Sequence, residues 1–128
     1  FRSHILILED DPRFWAIVAH NLSRAGYKVT AEERAAQALL LARQTRFDLV
    51  ISDYMLPDYP GTDFIRLLRE IEGYDNIPVI LWSARVWELD TRRLRDELAV
   101  LIMSKGCSTQ ELVDAVSGCL SIANAARC

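Results

Sequence analysis

Leu49-Val50-Ile51-Ser52 is a short apolar run that ends on a carboxylate, Asp53, and passes at once into the turn Tyr54-Met55-Leu56-Pro57-Asp58-Tyr59-Pro60-Gly61. A second run, Ile5-Leu6-Ile7-Leu8, ends the same way on Glu9-Asp10-Asp11. Short Ile/Leu/Val runs bounded by turn residues read as strands covered on both faces, as in a parallel sheet. If these two are neighbours in one sheet, their carboxylates lie side by side, and such like charges stay ionised together only around a cation.

Outward from these runs, strands are expected at His4–Leu8, Tyr27–Ala31, Leu49–Ser52, Val79–Trp82 and Val100–Met103. Tyr27-Lys28-Val29-Thr30-Ala31 alternates instead of running apolar, which suits a sheet edge. Helical spacing of three and four fills the intervals. Phe14, Ile17, Val18, Leu22 and Ala25 form a first stripe after Pro12 and before Gly26. Arg34–Arg43 is rich in Ala and Leu. Phe64, Leu67, Leu68 and Ile71 precede Gly73, and Leu112, Val113, Val116 and Leu120 follow a start at Ser108 or Thr109 with Glu111 in the first turn. Trp87–Leu98 is the least regular segment, because arginines and acids crowd it. Strand and helix in strict alternation predict a three-layer α/β fold with a parallel sheet and right-handed crossovers.

The chain has 128 residues, the size of one ordinary domain, and half of them (51%) are apolar. A net charge of −3 speaks against a general nucleic-acid or anionic-membrane surface. Cys107, Cys119 and Cys128 are odd in number and follow no metal-binding spacing, so they read as reduced thiols of a cytoplasmic protein. No apolar stretch approaches the roughly 18 residues that a bilayer span requires. No glycine-rich nucleotide loop is present. Trp15, Trp82 and Trp87 are expected to be packing residues, His4 and His20 structural ones, and Arg85, Arg92, Arg93 and Arg95 a solvated helix face.

The residues just past each apolar run are Glu9 and Asp10, then Asp53, then Ser83, then Lys105. A ligand site in an open parallel sheet lies beyond the carboxyl ends of its strands. Adjacent strands are about 4.8 Å apart, so acids at the ends of two neighbours reach one ion. Glu9, Asp10 and Asp53 suit Mg²⁺ (or Mn²⁺), which prefers oxygen ligands. Asp53 is then a candidate nucleophile toward phosphorus, Ser83 a hydrogen-bond donor and Lys105 a balancing charge. Asp11 is expected at the start of the first helix rather than on the metal.

In this order the residues resemble the receiver domain of two-component response regulators, over nearly the whole chain. That family carries an acidic pair after the first strand, here Glu9 and Asp10, and a phosphoacceptor after the third, here Asp53. Ser or Thr follows the fourth strand and Lys the fifth, here Ser83 and Lys105. Asp53-Tyr54-Met55-Leu56-Pro57 with Gly61 is similar to its D-x-x-L/M-P-x-x-x-G signature. The resemblance implies a flavodoxin-like five-stranded sheet of order 2-1-3-4-5 with five helices, and the Met55 backbone carbonyl as a further metal ligand. It implies phosphoryl transfer from a histidine kinase or phosphotransfer protein, with no enzymatic turnover beyond the domain's own phosphorylation and dephosphorylation. The partners implied are a downstream output protein or domain and a homodimer through the fourth helix, fifth strand and fifth helix, with no direct contact to nucleic acid or membrane. Residues 1–128 would form one receiver, stand-alone or within a longer regulator or hybrid kinase.

Three positions depart from the family. Gly106 follows Lys105 where proline is usual, Ile102 stands where Tyr or Phe is common, and Asp96-Glu97-Leu98-Ala99 replaces a glycine-containing turn. Ile102 and Gly106 favour an alternative, a degenerate receiver acting as a phosphorylation-independent scaffold. A metal-dependent phosphohydrolase is disfavoured, since Met55 rather than an acid stands two residues after Asp53.

Overall fold

The structure is a computed structural model that describes residues 2–127, with side chains through Asn124. The expected thiol Cys128 lies outside the described residues, while Cys107 and Cys119 are free. Five parallel strands, β1 (His4–Leu8), β2 (Lys28–Glu32), β3 (Leu49–Asp53), β4 (Val79–Ser83) and β5 (Val100–Ser104), lie in the order β2-β1-β3-β4-β5. Between and after them come α1 (Pro12–Arg24), α2 (Ala35–Gln44), α3 (Gly61–Glu70), α4 (Thr91–Leu98) and α5 (Thr109–Arg127). This is the flavodoxin-like three-layer arrangement, with the alternating second strand at an edge as its pattern demands.

Alternation along each strand divides the core in two. Leu6, Leu8, Val50, Leu81 and Val100 point to the layer of Ala38, Phe64, Leu68 and Leu98 from α2, α3 and α4. Ile5, Ile7, Ile51, Ile80 and Trp82 point to Val18, Leu22, Leu112 and Val116 from α1 and α5. The central strands β1, β3 and β4 are buried along their whole length, which explains their unbroken apolar runs. Register sets Leu8 beside Ser52, Asp53 beside Trp82 and Ser83 beside Ser104, so the strands finish level on one rim.

The helix ends follow local chemistry. Asp11 caps α1, its carboxylate accepting from the Arg13 N–H at 2.9 Å, with Pro12 in the first turn. Ser108 and Glu111 cap α5 reciprocally: the Glu111 N–H donates to Ser108 Oγ at 3.0 Å and the Ser108 N–H to Glu111 Oε1 at 3.4 Å.

Elsewhere the structure corrects the reading. Of the α1 stripe only Val18 and Leu22 are buried, whereas Ile17 is 57% exposed. Successive helical residues turn through about 100°, so Ile17 falls on the flank of the arc that meets the sheet. Trp87 does not pack; it is 77% exposed on a 3₁₀ turn, Val86–Glu88. The expected helix Trp87–Leu98 is broken at Leu89, and α4 restarts after Asp90, whose carboxylate accepts from the Arg93 N–H at 3.1 Å. Arg85, before the 3₁₀ turn, and Arg92, Arg93 and Arg95 of α4 do face solvent, with Arg85 paired to Glu88 at 3.2 Å and Arg93 to Glu97 at 2.9 Å. The helix expected to close at Gly73 ends instead at Glu70, and Gly73 sits in the next turn at φ 90°.

α4 ends on Ala99 in the left-handed conformation, φ 54° and ψ 47°, a position that favours glycine because Cβ crowds the backbone there. Ala99→Gly should therefore raise stability by about 0.5–1 kcal/mol in urea denaturation; an unchanged or lower midpoint would show that the turn carries no strain.

Candidate functional site

Each polar side chain at the rim is fixed by the backbone beneath it. Glu9 follows β1, and its N–H donates to the Glu32 carbonyl at 3.0 Å, extending the pairing with β2 by one residue. Asp53 is the last residue of β3, and the next N–H, of Tyr54, donates to the Trp82 carbonyl at 3.0 Å. Ser83 closes β4, and its carbonyl accepts the N–H of Lys105 at 2.8 Å, which ties the residue after β5 to the same rim.

The structure brings these residues together. Carboxylate oxygens of Glu9, Asp10 and Asp53 all lie within 4.8 Å of one another. The Lys105 ammonium donates to Glu9 Oε1 and lies 3.3 Å from Asp53 Oδ2. Glu9 is fully buried and Asp53 nearly so, while Asp10 faces solvent at the mouth. Burial first, and then the hydrogen bond and charge of Asp53, push the Glu9 carboxyl up to about 7, with Lys105 working in the opposite direction. Carboxylates this close, with one of them resisting ionisation, have the donor set of a hard divalent cation such as Mg²⁺.

A cleft of about 410 Å³ opens in front of this cluster between Asp53, Met55, Ser83, Arg85, Leu89 and Lys105. The Ser83 hydroxyl accepts the Arg85 N–H at 3.1 Å and keeps its own proton to donate. Met55 borders the cleft at the start of the turn, where it forms an isolated bridge with Pro60. Among the described residues no peptide bond is cis, and the loop after Lys105 is held by the Gly106 N–H on Ser104 Oγ and the Cys107 N–H on the Ser104 carbonyl, both at 3.0 Å. Ile102 packs half-buried against the α2–α4 layer.

Two side-chain contacts were not read from the sequence, one on α2 and one at the site. Asp58 leaves its turn to cap α2, its carboxylate accepting from the N–H groups of Ala35 at 2.9 Å and Ala36 at 3.0 Å. The missing signal was Arg34, an N-cap residue that makes no side-chain cap of its own. Phe14 and Trp82 flank the Lys105 ammonium, and their separation of 68 residues hid that contact.

The β2-β1-β3-β4-β5 order and five-helix arrangement are shared with known proteins. Residues 5–117 match the model of the response regulator receiver domain, and the chain belongs to that family. It is 38% identical to the transcriptional regulatory protein BaeR of Escherichia coli over 67% of this chain and 35% of that protein. It is 29% identical to the hybrid signal transduction histidine kinase D of Dictyostelium discoideum over 94% of this chain and 8% of that protein. The chain thus spans about a third or less of the length of these relatives. The receiver domain of a sensor histidine kinase from Pseudomonas aeruginosa, solved with magnesium coordinated in its active-site cleft, superimposes with a TM-score of 0.84 at 24% identity, covering 94% of this chain and 99% of that one. Receiver domains serve two-component signalling and are not conventional enzymes. Among the described residues no helix is long and apolar enough to cross a membrane.

Proposed function

We propose that this receiver takes a phosphoryl group onto Asp53 from a histidine kinase or phosphotransfer protein and thereby changes the surface it offers to an output protein or domain. The observation that carries the reading is the meeting of Glu9, Asp10 and Asp53 within 4.8 Å, with the Lys105 ammonium 3.3 Å from Asp53. Glu9, Asp10, Asp53 and the Met55 carbonyl would hold Mg²⁺, which when bound neutralises charge on the carboxylates and on an incoming phosphoryl group.

The residues divide the chemistry. A lone pair of an Asp53 carboxylate oxygen forms the new bond to phosphorus. The bond from phosphorus to the donor atom breaks, and its electron pair leaves with the donor, an imidazole nitrogen in phosphohistidine or a carboxylate oxygen in acetyl phosphate. Ser83 Oγ donates a hydrogen bond to a phosphoryl oxygen, and Lys105 offsets its negative charge. The product is an acyl phosphate on the rim of the cleft, where Ser83 and the loop leading to α4 meet it. Residues 1–128 act as one receiver unit in this scheme, with partners meeting the α4–β5–α5 side, through which a homodimer would also form.

Metal binding is the first test. Titration of the protein with Mg²⁺ by calorimetry should show one site, and Asp10→Asn should weaken it by at least about tenfold, since a carboxylate ligand contributes at least about 1.4 kcal/mol at a site of this kind. Asp10 is exposed, so this variant keeps the fold. Equal affinity in both proteins would remove Asp10 from the site.

A further inference from the structure

We infer that Phe14 and Trp82 form an aromatic clamp that positions the Lys105 ammonium for phosphoryl transfer to Asp53, acting through Lys105 without touching the phosphoryl group. The inference rests on the phosphoacceptor reading above. Lys105 Nζ lies 4.7 Å from the centre of the Phe14 ring and 5.4 Å from that of Trp82. Both distances fall inside the roughly 6 Å over which a ring face attracts a cation. The rings meet each other edge to face, with centres 5.9 Å apart and planes at 82°, an arrangement favourable to aromatic pairs.

Three features make this more than incidental packing. First, the Lys105 side chain is only 11% exposed, so its charge has lost most of its hydration and a ring face is worth more to it than at an open surface. Secondly, Trp82 is buried in β4, so its ring is held in one place beside the ammonium. Thirdly, Lys105 is followed by Gly106, and a long flexible side chain on such a loop loses much conformational freedom when held in one place. Attraction to a ring face consumes none of the ammonium's hydrogen-bond donors. Its three N–H groups stay available for Glu9, Asp53 and an arriving phosphoryl oxygen.

The rings come from separate elements, Phe14 from the first turn of α1 and Trp82 from β4. Trp82 is anchored in the α1–α5 core, whereas Phe14 is 36% exposed and closes the clamp from outside. Removing Phe14 therefore opens the clamp without hollowing the core.

The test compares wild type with Phe14→Leu and Trp82→Leu, which remove a ring face, and with Phe14→Tyr and Trp82→Phe, which keep one. Acetyl phosphate serves as donor, so that no partner docking is involved. The Leu variants should be phosphorylated about 2- to 30-fold more slowly at saturating donor and Mg²⁺, the range a cation–π contact supplies, with Mg²⁺ affinity unchanged. The aromatic replacements should restore the rate. By proton NMR, the Lys105 ε-methylene should be displaced upfield by the rings in wild type and in the aromatic variants, and should move toward the position of a free lysine in Phe14→Leu. Equal rates in wild type and both Leu variants, or a Lys105 signal at the free-lysine position in wild type, would overturn the clamp. A wild type that gains no phosphoryl group would overturn the phosphoacceptor reading and the transfer role with it, an outcome distinct from equal rates.

Discussion

Gly61→Ala is expected to cost about 3 kcal/mol and to weaken Mg²⁺ binding at least about tenfold, although the added group is a single methyl. Gly61 is the buried first residue of α3, and its N–H donates to the Tyr54 carbonyl at 2.7 Å. A Cβ there would run into the carbonyl oxygen of Asp53 and come within 3.0 Å of Tyr54 Cα. Neither neighbour can retreat, because the Tyr54 N–H is pinned to the Trp82 carbonyl of β4. The alternative is to lift α3, which would pull Phe64, Ile65 and Leu68 out of the core. In either case the Asp53 carboxylate loses its alignment with Glu9 and Asp10. Thermal unfolding and Mg²⁺ titration measure the two effects; wild-type values in both would mean that the turn after Asp53 yields far more easily than its hydrogen bonds imply.

Arg69→Met should be as damaging to stability and leave the metal site unaffected. The Arg69 guanidinium donates to four carbonyls: Tyr74 at 3.1 Å and Ile77 at 2.6 Å through one nitrogen, Leu98 at 3.2 Å and Ala99 at 3.3 Å through the other. It thereby joins the end of α3 to the entry of β4 and to the end of α4. Methionine keeps the length of the stem but offers no donor, and the carbonyls at the partly buried junction lose a charged partner. Hydrogen bonds to charged groups contribute about 1.5–3 kcal/mol each, and water recovers part of that at the exposed members, so the net loss is set at about 3 kcal/mol. For a chain of this size that lowers the melting temperature by about 10 °C. The junction lies at the opposite end of β4 from Ser83, so Mg²⁺ affinity should stay at the wild-type value. A change of less than about 1 kcal/mol would mean that water replaces the guanidinium fully.

What could be read from the sequence depended on how local the cause was. The buried strands announced themselves because two covered faces require continuous apolar residues, and β2 betrayed its edge by alternating. Asp11 and the Ser108/Glu111 pair were legible because a cap acts within three residues. The rim of Glu9, Asp10, Asp53, Ser83 and Lys105 was legible because parallel strands all end on one side. Asp58 on α2, across 22 and 23 residues, and Arg69 on the end of α4, across 29 and 30, were not, since each acts through a side chain whose direction no spacing specifies. The break at Leu89 was hidden by the charges around it, and Trp87 misled because a large apolar residue is more often buried than left on a surface turn. Ala99 in a left-handed turn shows that α4 ends where glycine would be expected, with alanine bearing the strain.

The phosphoacceptor role of Asp53 is tested most directly by intact-protein mass spectrometry after incubation with acetyl phosphate and Mg²⁺, comparing wild type with Asp53→Asn. Wild type should gain the mass of one phosphoryl group, gain none when Mg²⁺ is chelated before donor is added, and release the group on treatment with hydroxylamine, while Asp53→Asn gains none. Equal gain in the two proteins, or gain in neither, would contradict the assignment, and the second result would turn the reading toward a phosphorylation-independent scaffold.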